Sequence, residues 1–279
     1  MKVRFTKMHG AGNDFVVIDN LRQNLQLSSA QIRRLANRQR GIGCDQVLIV
    51  APPDSPDADF RYHIFNADGS EAGQCGNGAR CFARFVKEQR LSGKSQLSVQ
   101  TPNGLMQLKT SPDGRISAEM GTPIFSPNAV PFTAEQEQLE YTVTVQGESV
   151  KIGVLSMGNP HAVVTVEDIH KAPVASLGAA IEKHPQFTNR VNVGFMQVVS
   201  KDEIKLRVFE RGAGETLACG TGACAAVVHG IRKSLLNNAV TVHLPGGKLS
   251  VVWEGDDTAA WLSGPTASVF EGTINLHNR

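Results

Sequence analysis

FNADGSEAGQCGNGA at residues 65–79 and FERGAGETLACGTGA at residues 209–223 are two versions of one segment. Both copies begin where an alternation of apolar and polar residues ends, and both continue into a helix-like pattern. A shift of 144 residues, from Cys75 to Cys219, aligns six identical positions, which are Phe65/Phe209, Glu71/Glu215, Cys75/Cys219, Gly76/Gly220, Gly78/Gly222 and Ala79/Ala223. The repeat predicts a chain built of two similar halves.

Two further matches occur in the same order along the chain. The pairs Gly12-Asn13 and Gly158-Asn159 each precede a strand-like segment, at a shift of 146 residues from Asn13 to Asn159. Gln46 matches Asn192 at that same shift. Because the three matches keep their order, duplication of a whole domain explains them better than chance.

Composition narrows the class of protein. The chain has 279 residues, of which 19% are charged, and its net charge is +2. These values are typical of a folded globular protein, and the chain lacks the excess of basic residues that nucleic-acid-binding proteins have. No apolar run approaches the ~20 residues of a membrane span. The start MKVRFTKMHG shows no secretory signal, so we expect a cytoplasmic protein whose five cysteines are reduced thiols, without a metal site.

The pattern along the chain predicts a fold of class α+β. Period-two alternation predicts strands near 2–7, 14–19, 60–66, 104–109, 141–145, 150–156, 193–199, 204–208, 239–244 and 248–253. Helices are predicted over about 30–39 after Ser28 or Ser29, after Cys75, over about 175–183 and after Cys219. The last of these is apolar nearly all round, which indicates a buried helix. In each half we therefore expect a curled, mostly antiparallel or mixed sheet, or a barrel, around a central helix.

The domain boundaries follow from the repeat and from a proline-rich segment. Residues 121–138 contain Pro123, Pro127 and Pro131 without a clear period, which is typical of a linker. We predict an N-terminal half of residues 1–119 with 266–279, which carries Cys75, and a C-terminal half of residues 120–265, which carries Cys219. Clefts between domains favour small-molecule sites, so the active site is expected there.

The repeated cysteines have a chemical interpretation. Unpaired N–H groups at a helix start lower the pKa of a thiol, and they also bind carboxylates. Two such starts that face one bound amino acid would place an acid–base group on either side of its α-carbon. One thiolate would remove the α-proton and the other thiol would return a proton to the opposite face. This arrangement predicts a racemase or epimerase that needs no pyridoxal cofactor.

Four segments resemble the diaminopimelate epimerase family over nearly the whole chain. They are KMHGAGNDFVVID (7–19), NADGSEAGQCGNGARC (66–81), MGNPHAVV (157–164) and ERGAGETLACGTGACA (210–225). The resemblance implies a cytoplasmic isomerase, usually a homodimer, of two pseudo-symmetric halves with the site between them. It implies interconversion of LL- and meso-2,6-diaminopimelate, a small diamino dicarboxylate, in lysine and peptidoglycan-precursor biosynthesis. It implies no cofactor, no metal, and neither nucleic-acid nor membrane partners.

The resemblance also implies roles for individual residues. Cys75 and Cys219 become the catalytic base and acid. The backbone of Gly76, Asn77, Gly220 and Thr221 becomes the cradle of the α-carboxylate. The remaining substrate contacts become Asn13, Gln46, Asn66, Asn159, Asn192, Glu210 and Arg211. His161 and Glu210 are expected to tune the pKa of a nearby proton-transfer group.

Several alternatives stay open at this point. A related two-cysteine racemase acting on proline, a non-catalytic amino-acid-binding protein and a thiol redox protein would use the same cysteines or cleft. The other cysteines, Cys44, Cys81 and Cys224, have no partner in the opposite half and are interpreted as structural. The basic run Arg33, Arg34, Arg38 and Arg40 is interpreted as a solvated helix face.

Overall fold

The computed structural model describes residues 1–73 and 75–276, which form two compact units. Unit 1 is Met1–Ala118 with the described residues from Ser263 onward, and unit 2 is Glu119–Leu262. That the predicted halves are independent domains stays a prediction, and its residues 277–279 lie outside the described residues. Across the described ranges, no helix is long and apolar enough to cross a membrane.

Unit 1 contains a mixed sheet whose neighbouring strands run in the order β18, β1, β2, β3, β4, β6, β7. The ranges are β1 Lys2–Gly10, β2 Asn13–Asp19, β3 Gln46–Ala51, β4 Phe60–Asn66, β5 Glu71–Ala72, β6 Gln96–Thr101, β7 Gly104–Thr110, β8 Ile116–Glu119 and β18 Ala267–Asn275. The pairs β2/β3 and β4/β6 are parallel, and the other pairs in this order are antiparallel. The short β5 also pairs with β4, and β8 with β7.

The helices of unit 1 are α1 (Asn20–Gln23), α2 (Ser29–Ala36) and α3 (Gly76–Glu88). Helix α3 contacts β1, β2, β3 and β7, and only Arg84, Lys87 and Glu88 of it are not buried. Phe82 on α3 meets Phe60 and Tyr62, two inward-facing residues of β4, with ring centroids 6.1 and 5.3 Å apart. The alternation along β4 therefore anchors the helix that follows Cys75.

Unit 2 repeats this sheet with the strand order β9, β10, β11, β12, β13, β15, β16. The ranges are β9 Tyr141–Val145, β10 Glu148–Ser156, β11 Pro160–Thr165, β12 Asn192–Ser200, β13 Glu203–Glu210, β14 Gly214–Thr216, β15 Ala239–Leu244, β16 Gly247–Val252 and β17 Trp261–Gly264, the last of which reaches into unit 1 by sequence. Again only two pairs in the order are parallel, β11/β12 and β13/β15. The same sequence of pairing senses confirms the predicted pseudo-symmetric α+β fold.

The helices of unit 2 are α4 (Val174–Glu182) and α5 (Gly220–Arg232), with a 3-10 turn at Pro127–Ala129. Helix α5 contacts β10, β11, β12, β13 and β16. It approaches β10 so closely that a side-chain carbon on Gly153 would lie 2.2 Å from Nδ1 of His229. As predicted, the apolar helix is central to its unit, and it begins directly after Cys219.

The proline-rich segment 121–138 is not a linker, and that prediction was wrong. Ile124 forms a β-bridge with Ser156, and Phe132 forms one with Phe187. Phe132 is 2% exposed and its ring lies 4.8 Å from that of Tyr141. The prolines remove the periodic pattern, but Val130 and Phe132 in the segment are buried in the core of unit 2.

Four of the other differences from the predicted elements have physical causes. Strands β3 and β11 lack alternation because both are almost continuously buried, as strands with a parallel neighbour often are. Strand β18 was missed because most of its residues are exposed, so no core face marks it. Helix α2 starts at the predicted cap Ser28, whose Oγ accepts the Gln31 N–H at 3.3 Å, but ends at Ala36 because Asn37 is extended.

Candidate functional site

Cys75 is the N-cap residue of α3. Its backbone is extended, at φ −145° and ψ 116°, and its carbonyl accepts the N–H of Ala79 at 2.8 Å. Its sulfur accepts the N–H of Gly78 at 3.4 Å. The thiol is partly exposed, while the hydroxyl of the buried Tyr62 donates to its carbonyl at 3.4 Å. The predicted helix start therefore exists, and one of its amides, that of Gly78, donates to the sulfur.

The predicted amide residues of unit 1 form two pairs. Gln46 and Asn66 are opposite each other in the β3/β4 register, and Nε2 of Gln46 donates to Oδ1 of Asn66 at 3.0 Å. Asn13 begins β2, and its Oδ1 accepts from Nδ2 of Asn77 at 2.6 Å. All four residues are thus fixed at strand ends or at the helix start. Gly76, the first residue of α3, is buried next to Cys75.

Sequence reasoning missed Arg80, which is fully buried in α3. Its guanidinium donates to the carbonyl of Gly76 at 3.1 Å and to Oδ1 of Asn77 at 2.6 Å. A buried guanidinium is stable only when its donors are used, and here they support the helix start itself. The signal in the sequence was an arginine among apolar helix residues, three and four positions after Asn77 and Gly76.

The side chain of Arg38 in the basic run is exposed, as predicted, but its predicted place on a helix face was wrong. This residue lies beyond the end of α2, and its guanidinium makes two 2.8 Å bonds to the Asp14 carboxylate and one to Asp45. Lys7 donates to the same Asp14 carboxylate at 2.6 Å. Burial alone would raise the pKa of Asp14, but the bonds from Arg38 and Lys7 outweigh it and hold the pKa well below its usual range. The cluster therefore keeps the Asp14 carboxylate ionised, next to Asn13 in the sequence.

Cys219 is the N-cap residue of α5 and is 5% exposed. Its sulfur lies 3.6 Å from the hydroxyl oxygen of Thr221. Burial and the negative charge of Glu210 raise the pKa of the Cys219 thiol well above its usual range, against the smaller opposing effect of Thr221 and Gly222. The prediction that a helix start lowers the thiol pKa was therefore wrong for Cys219, because burial and Glu210 outweigh the hydrogen bonds of Thr221 and Gly222.

His161 belongs to a short polar series next to Cys219. Its Nε2 lies 3.0 Å from Oδ1 of Asn159, whose Nδ2 donates to Thr221 Oγ1 at 3.3 Å. Burial, with a smaller contribution from the charge of Arg211, lowers the pKa of His161 to about 3. The imidazole is consequently neutral near pH 7. It orients Asn159, and through Thr221 it is linked to the Cys219 sulfur.

The remaining predicted residues of unit 2 lie at one end of β12 and β13. Asn192 Nδ2 donates to the Pro160 carbonyl at 3.0 Å, and its Oδ1 accepts the Arg211 N–H at 3.0 Å. Glu210 accepts a short hydrogen bond from the Thr216 hydroxyl. The Arg211 guanidinium donates to the Asn189 carbonyl at 3.0 Å, so its predicted role on a substrate carboxylate stays a prediction.

The predicted residues divide between the two units, each of which contains one of the helix starts. Those in unit 1 are Asn13, Gln46, Asn66, Cys75, Gly76 and Asn77, and those in unit 2 are Asn159, His161, Asn192, Glu210, Arg211, Cys219, Gly220 and Thr221. A helix start offers bare N–H groups that suit a carboxylate, and each start carries a thiol that can transfer a proton. Among the described residues, no group of three or more His, Cys, Asp or Glu side chains could hold a metal ion.

The chain is similar in sequence to known proteins over nearly its whole length. A sequence model described as "Diaminopimelate epimerase" matches residues 5–126 and 153–269. The diaminopimelate epimerase of Teredinibacter turnerae is 54% identical over 276 residues, which cover 99% of this chain and 100% of that protein. The enzyme of Thioalkalivibrio sulfidiphilus is 55% identical over 278 residues, with coverage of 99% and 100%.

Solved structures with low identity share the fold. A hydroxyproline epimerase from Agrobacterium vitis is 13% identical with a TM-score of 0.70, and covers 98% of this chain and 92% of its own. A PhzF-family phenazine biosynthesis protein from Bacillus anthracis is 16% identical with a TM-score of 0.69, and covers 99% and 100%. The fold alone thus spans several families, whereas the family model and the relatives above match nearly the whole sequence, and the chain belongs to the diaminopimelate epimerase family.

Proposed function

We propose that this chain, an isomerase by its family, interconverts LL-2,6-diaminopimelate and meso-2,6-diaminopimelate with Cys75 and Cys219 as the two acid–base residues. The observation that carries the proposal is the duplicated helix start, in which each unit holds one cysteine as the N-cap of a buried helix. The reaction would serve lysine and peptidoglycan-precursor biosynthesis in the cytoplasm, without a cofactor.

The backbone amides supply most of the driving force in this proposal. The α-proton of an amino acid is a very weak acid and a thiolate is a modest base. A preorganised donor contributes roughly 3 kcal/mol at a developing oxyanion. Two donors from each helix start would contribute on the order of 10 kcal/mol if additive, or about seven decades of rate. Gly76, Asn77, Gly220 and Thr221 are the residues proposed to supply them.

The two thiols are proposed to enter the cycle in different protonation states. The raised pKa of Cys219 supports its role as the thiol that donates a proton. In this direction Cys75 is the thiolate that removes the α-proton of the substrate. In the reverse direction the roles of the two cysteines exchange. The mechanism requires both sulfurs to reach opposite faces of one α-carbon.

The remaining polar groups are proposed to bind the rest of the substrate. Glu210 suits an ammonium group, and Arg211 suits a carboxylate because its fork binds two oxygens at once. The amides of Asn13, Gln46, Asn66, Asn159 and Asn192 supply further contacts. A substrate with a second polar end explains this number of groups better than proline does.

The direct test is incubation of purified protein with LL-diaminopimelate, followed by chiral analysis of the product. Formation of the meso isomer supports the proposal, and its absence under reducing conditions contradicts it. In deuterated water, two monoprotic thiols should place deuterium in the product at low conversion while the remaining substrate stays almost unlabelled. Equal label in both isomers from the first turnovers would contradict two thiols and indicate a single, freely exchanging base.

We also propose that the chain forms a homodimer. Val269 and Phe270 on β18 are 56% and 50% exposed, and exposed apolar side chains on a strand favour contact with another chain. Sedimentation equilibrium of the wild type and of Phe270→Glu tests this. A dimer that the substitution weakens supports the proposal, and a wild-type monomer at micromolar concentration contradicts it.

A further inference from the structure

A series of side-chain hydrogen bonds in unit 1 runs from the surface to the start of α3. Arg38 Nη2 donates to Asp45 Oδ1 at 2.8 Å, and Asn13 Nδ2 donates to Asp45 Oδ2 at 3.3 Å. Asn77 Nδ2 donates to Asn13 Oδ1, and Arg80 Nη2 donates to Asn77 Oδ1, both at 2.6 Å. Two amides are thus held in line between a carboxylate and a guanidinium.

The charged ends decide which way each amide points. An ionised carboxylate only accepts hydrogen bonds, so Asn13 must direct its NH₂ group to Asp45. A guanidinium only donates, so Asn77 must direct its oxygen to Arg80. These two orientations leave the Asn77 NH₂ group facing the Asn13 oxygen, which is the contact in the structure. If either amide were flipped, a donor would face a donor at one of its contacts and an acceptor would face an acceptor at the other.

Other groups hold the acidic end in place. Asp45 is partly exposed, but Oδ2 also accepts the Asp14 N–H at 3.1 Å. Arg38 binds the Asp45 and Asp14 carboxylates together, and Lys7 donates to Asp14. The far end is fixed by burial, since Arg80 is fully enclosed and Asn77 is 2% exposed. Both ends are therefore rigid enough to set the amides between them.

We propose that Asp45 and Arg80 are positioning residues that orient Asn13 and Asn77 so that these amides offer N–H donors to a substrate carboxylate. Each NH₂ group has two protons, and the hydrogen bonds above use one of them. The second proton can be donated to an anionic ligand, whereas an ammonium offers no acceptor. This inference rests on the proposed function. It adds that residues that do not themselves contact the substrate determine why Asn13 and Asn77 bind a carboxylate.

Unit 2 has no charged counterpart of this series. At the repeat shifts, Thr221 stands in place of Asn77, Cys224 in place of Arg80, and Val191 in place of Asp45. There Asn159 contacts a neutral histidine and a hydroxyl, each of which can donate or accept. Only unit 1 therefore fixes its amides by charge.

The experiment compares Asp45→Asn with Asp59→Asn as a matched control. Asp59 also binds one exposed cation, Lys94, at 2.5 Å and one backbone N–H, that of Ser98, at 2.9 Å, but it has no link to Asn13. With LL-diaminopimelate, Asp45→Asn should raise KM about tenfold while kcat changes less than about threefold, as for a lost hydrogen bond to a charged group. Asp59→Asn should change neither.

A spectroscopic measurement separates orientation from general damage. The side-chain amide ¹⁵N–¹H signals of Asn13 and Asn77 are assigned by their loss in Asn13→Ser and Asn77→Ser. Asp45→Asn should shift both sets of signals, although Asp45 contacts Asn13 and not Asn77 in the series, and Asp59→Asn should shift neither. Asn77 signals that stay unchanged in Asp45→Asn would overturn the inference, as would an unchanged KM.

If Asp45→Asn does not fold, Arg38→Met with Lys94→Met as its control provides the same test. Arg38→Met should shift the Asn13 amide signals and raise KM about threefold, since Asp45 keeps its charge but loses one support. An Arg38→Met protein with wild-type signals and KM would overturn the inference. A wild-type protein without epimerase activity would instead contradict the proposed function, while the signal shifts would still report on the amide orientation.

Discussion

The helix starts of α3 and α5 share a cysteine N-cap and two glycines, yet their sulfurs lie in different surroundings. Cys75 is partly exposed, and its sulfur accepts the Gly78 N–H at 3.4 Å. Cys219 is buried beside the Glu210 carboxylate, which together with desolvation raises its pKa. A duplicated backbone can therefore hold the same side chain under two electrostatic conditions. The proposed mechanism requires such a difference, because one sulfur must be a thiolate while the other is a thiol.

The polar residues behind the two helix starts differ in the same way. At the start of α3 lies the charged series that ends in Arg80. At the start of α5 the series of polar side chains contains the neutral His161. A charged network keeps one arrangement of donors, while a neutral imidazole and a hydroxyl can exchange donor and acceptor roles. The less rigid arrangement lies next to the thiol with the raised pKa.

The largest expected effect is the loss of either thiol. Cys75→Ala and Cys219→Ala should each lower kcat by about 10⁴, because general acid–base groups contribute up to that factor. The double variant should be no worse than either single variant, since the two thiols act as a unit. Cys81→Ala and Cys224→Ala, which remove buried thiols from the same two helices, should keep activity within about threefold as controls. If Cys75→Ala or Cys219→Ala retained a tenth of the wild-type rate, that thiol would not be one of the two acid–base groups.

The next effect concerns thiol reactivity in the substrate-free protein. Iodoacetamide reacts with thiolates, so the raised pKa and burial of Cys219 should make it react at least about tenfold more slowly than Cys75 at pH 7.5. Glu210→Gln removes the neighbouring charge, lowers the Cys219 pKa and should speed its alkylation. Peptide mass spectrometry against reaction time measures both rates. Faster alkylation of Cys219 than of Cys75 would reverse the assigned difference.

A smaller effect distinguishes the glycines of the two helix starts. A side-chain carbon on Gly78 would lie 2.7 Å from the hydroxyl oxygen of the fully buried Tyr62, so Gly78→Ala should lower the free energy of unfolding by about 1–3 kcal/mol. On Gly222 the nearest atom would be Val208 Cγ2 at 3.1 Å, with the Cys219 sulfur at 3.3 Å. Gly222→Ala should therefore affect kcat more than stability. Urea denaturation together with kinetics checks both, and equal stability losses would contradict this distinction.

The last effect is the pH dependence of stability that His161 contributes. Its pKa is about 3 when folded, against 6.5 for an ordinary histidine, so the unfolded chain binds a proton that the folded chain excludes. Its contribution is complete above pH 6.5 and is lost as the pH falls toward 3, with a slope of at most about 1.4 kcal/mol per pH unit. His161→Gln should flatten the stability profile between pH 6.5 and 4 in urea titrations. A profile of unchanged slope would contradict a neutral buried imidazole.

Much of this molecule was determined by the sequence itself. The repeat around Cys75 and Cys219 predicted two similar halves, and the residues before each cysteine predicted that a strand leads into a helix. These features are local, since alternation, N-capping and glycine conformations depend on residues within a few positions. The four resembling segments also indicated the family. The predicted roles of the site residues stay proposals.

Only the tertiary structure decided the surroundings of each thiol. Burial of Cys219 and the carboxylate of Glu210 raise the pKa of its thiol, and a sequence pattern gives no measure of desolvation. The series from Arg38 to Arg80 joins residues from three separate segments, so no motif spacing could reveal it. Prolines interrupt the periodic pattern of residues 121–138, so the pattern did not reveal that Phe132 lies in the core of unit 2. Local chemistry thus specified the two helix starts, and long-range packing made them electrostatically different.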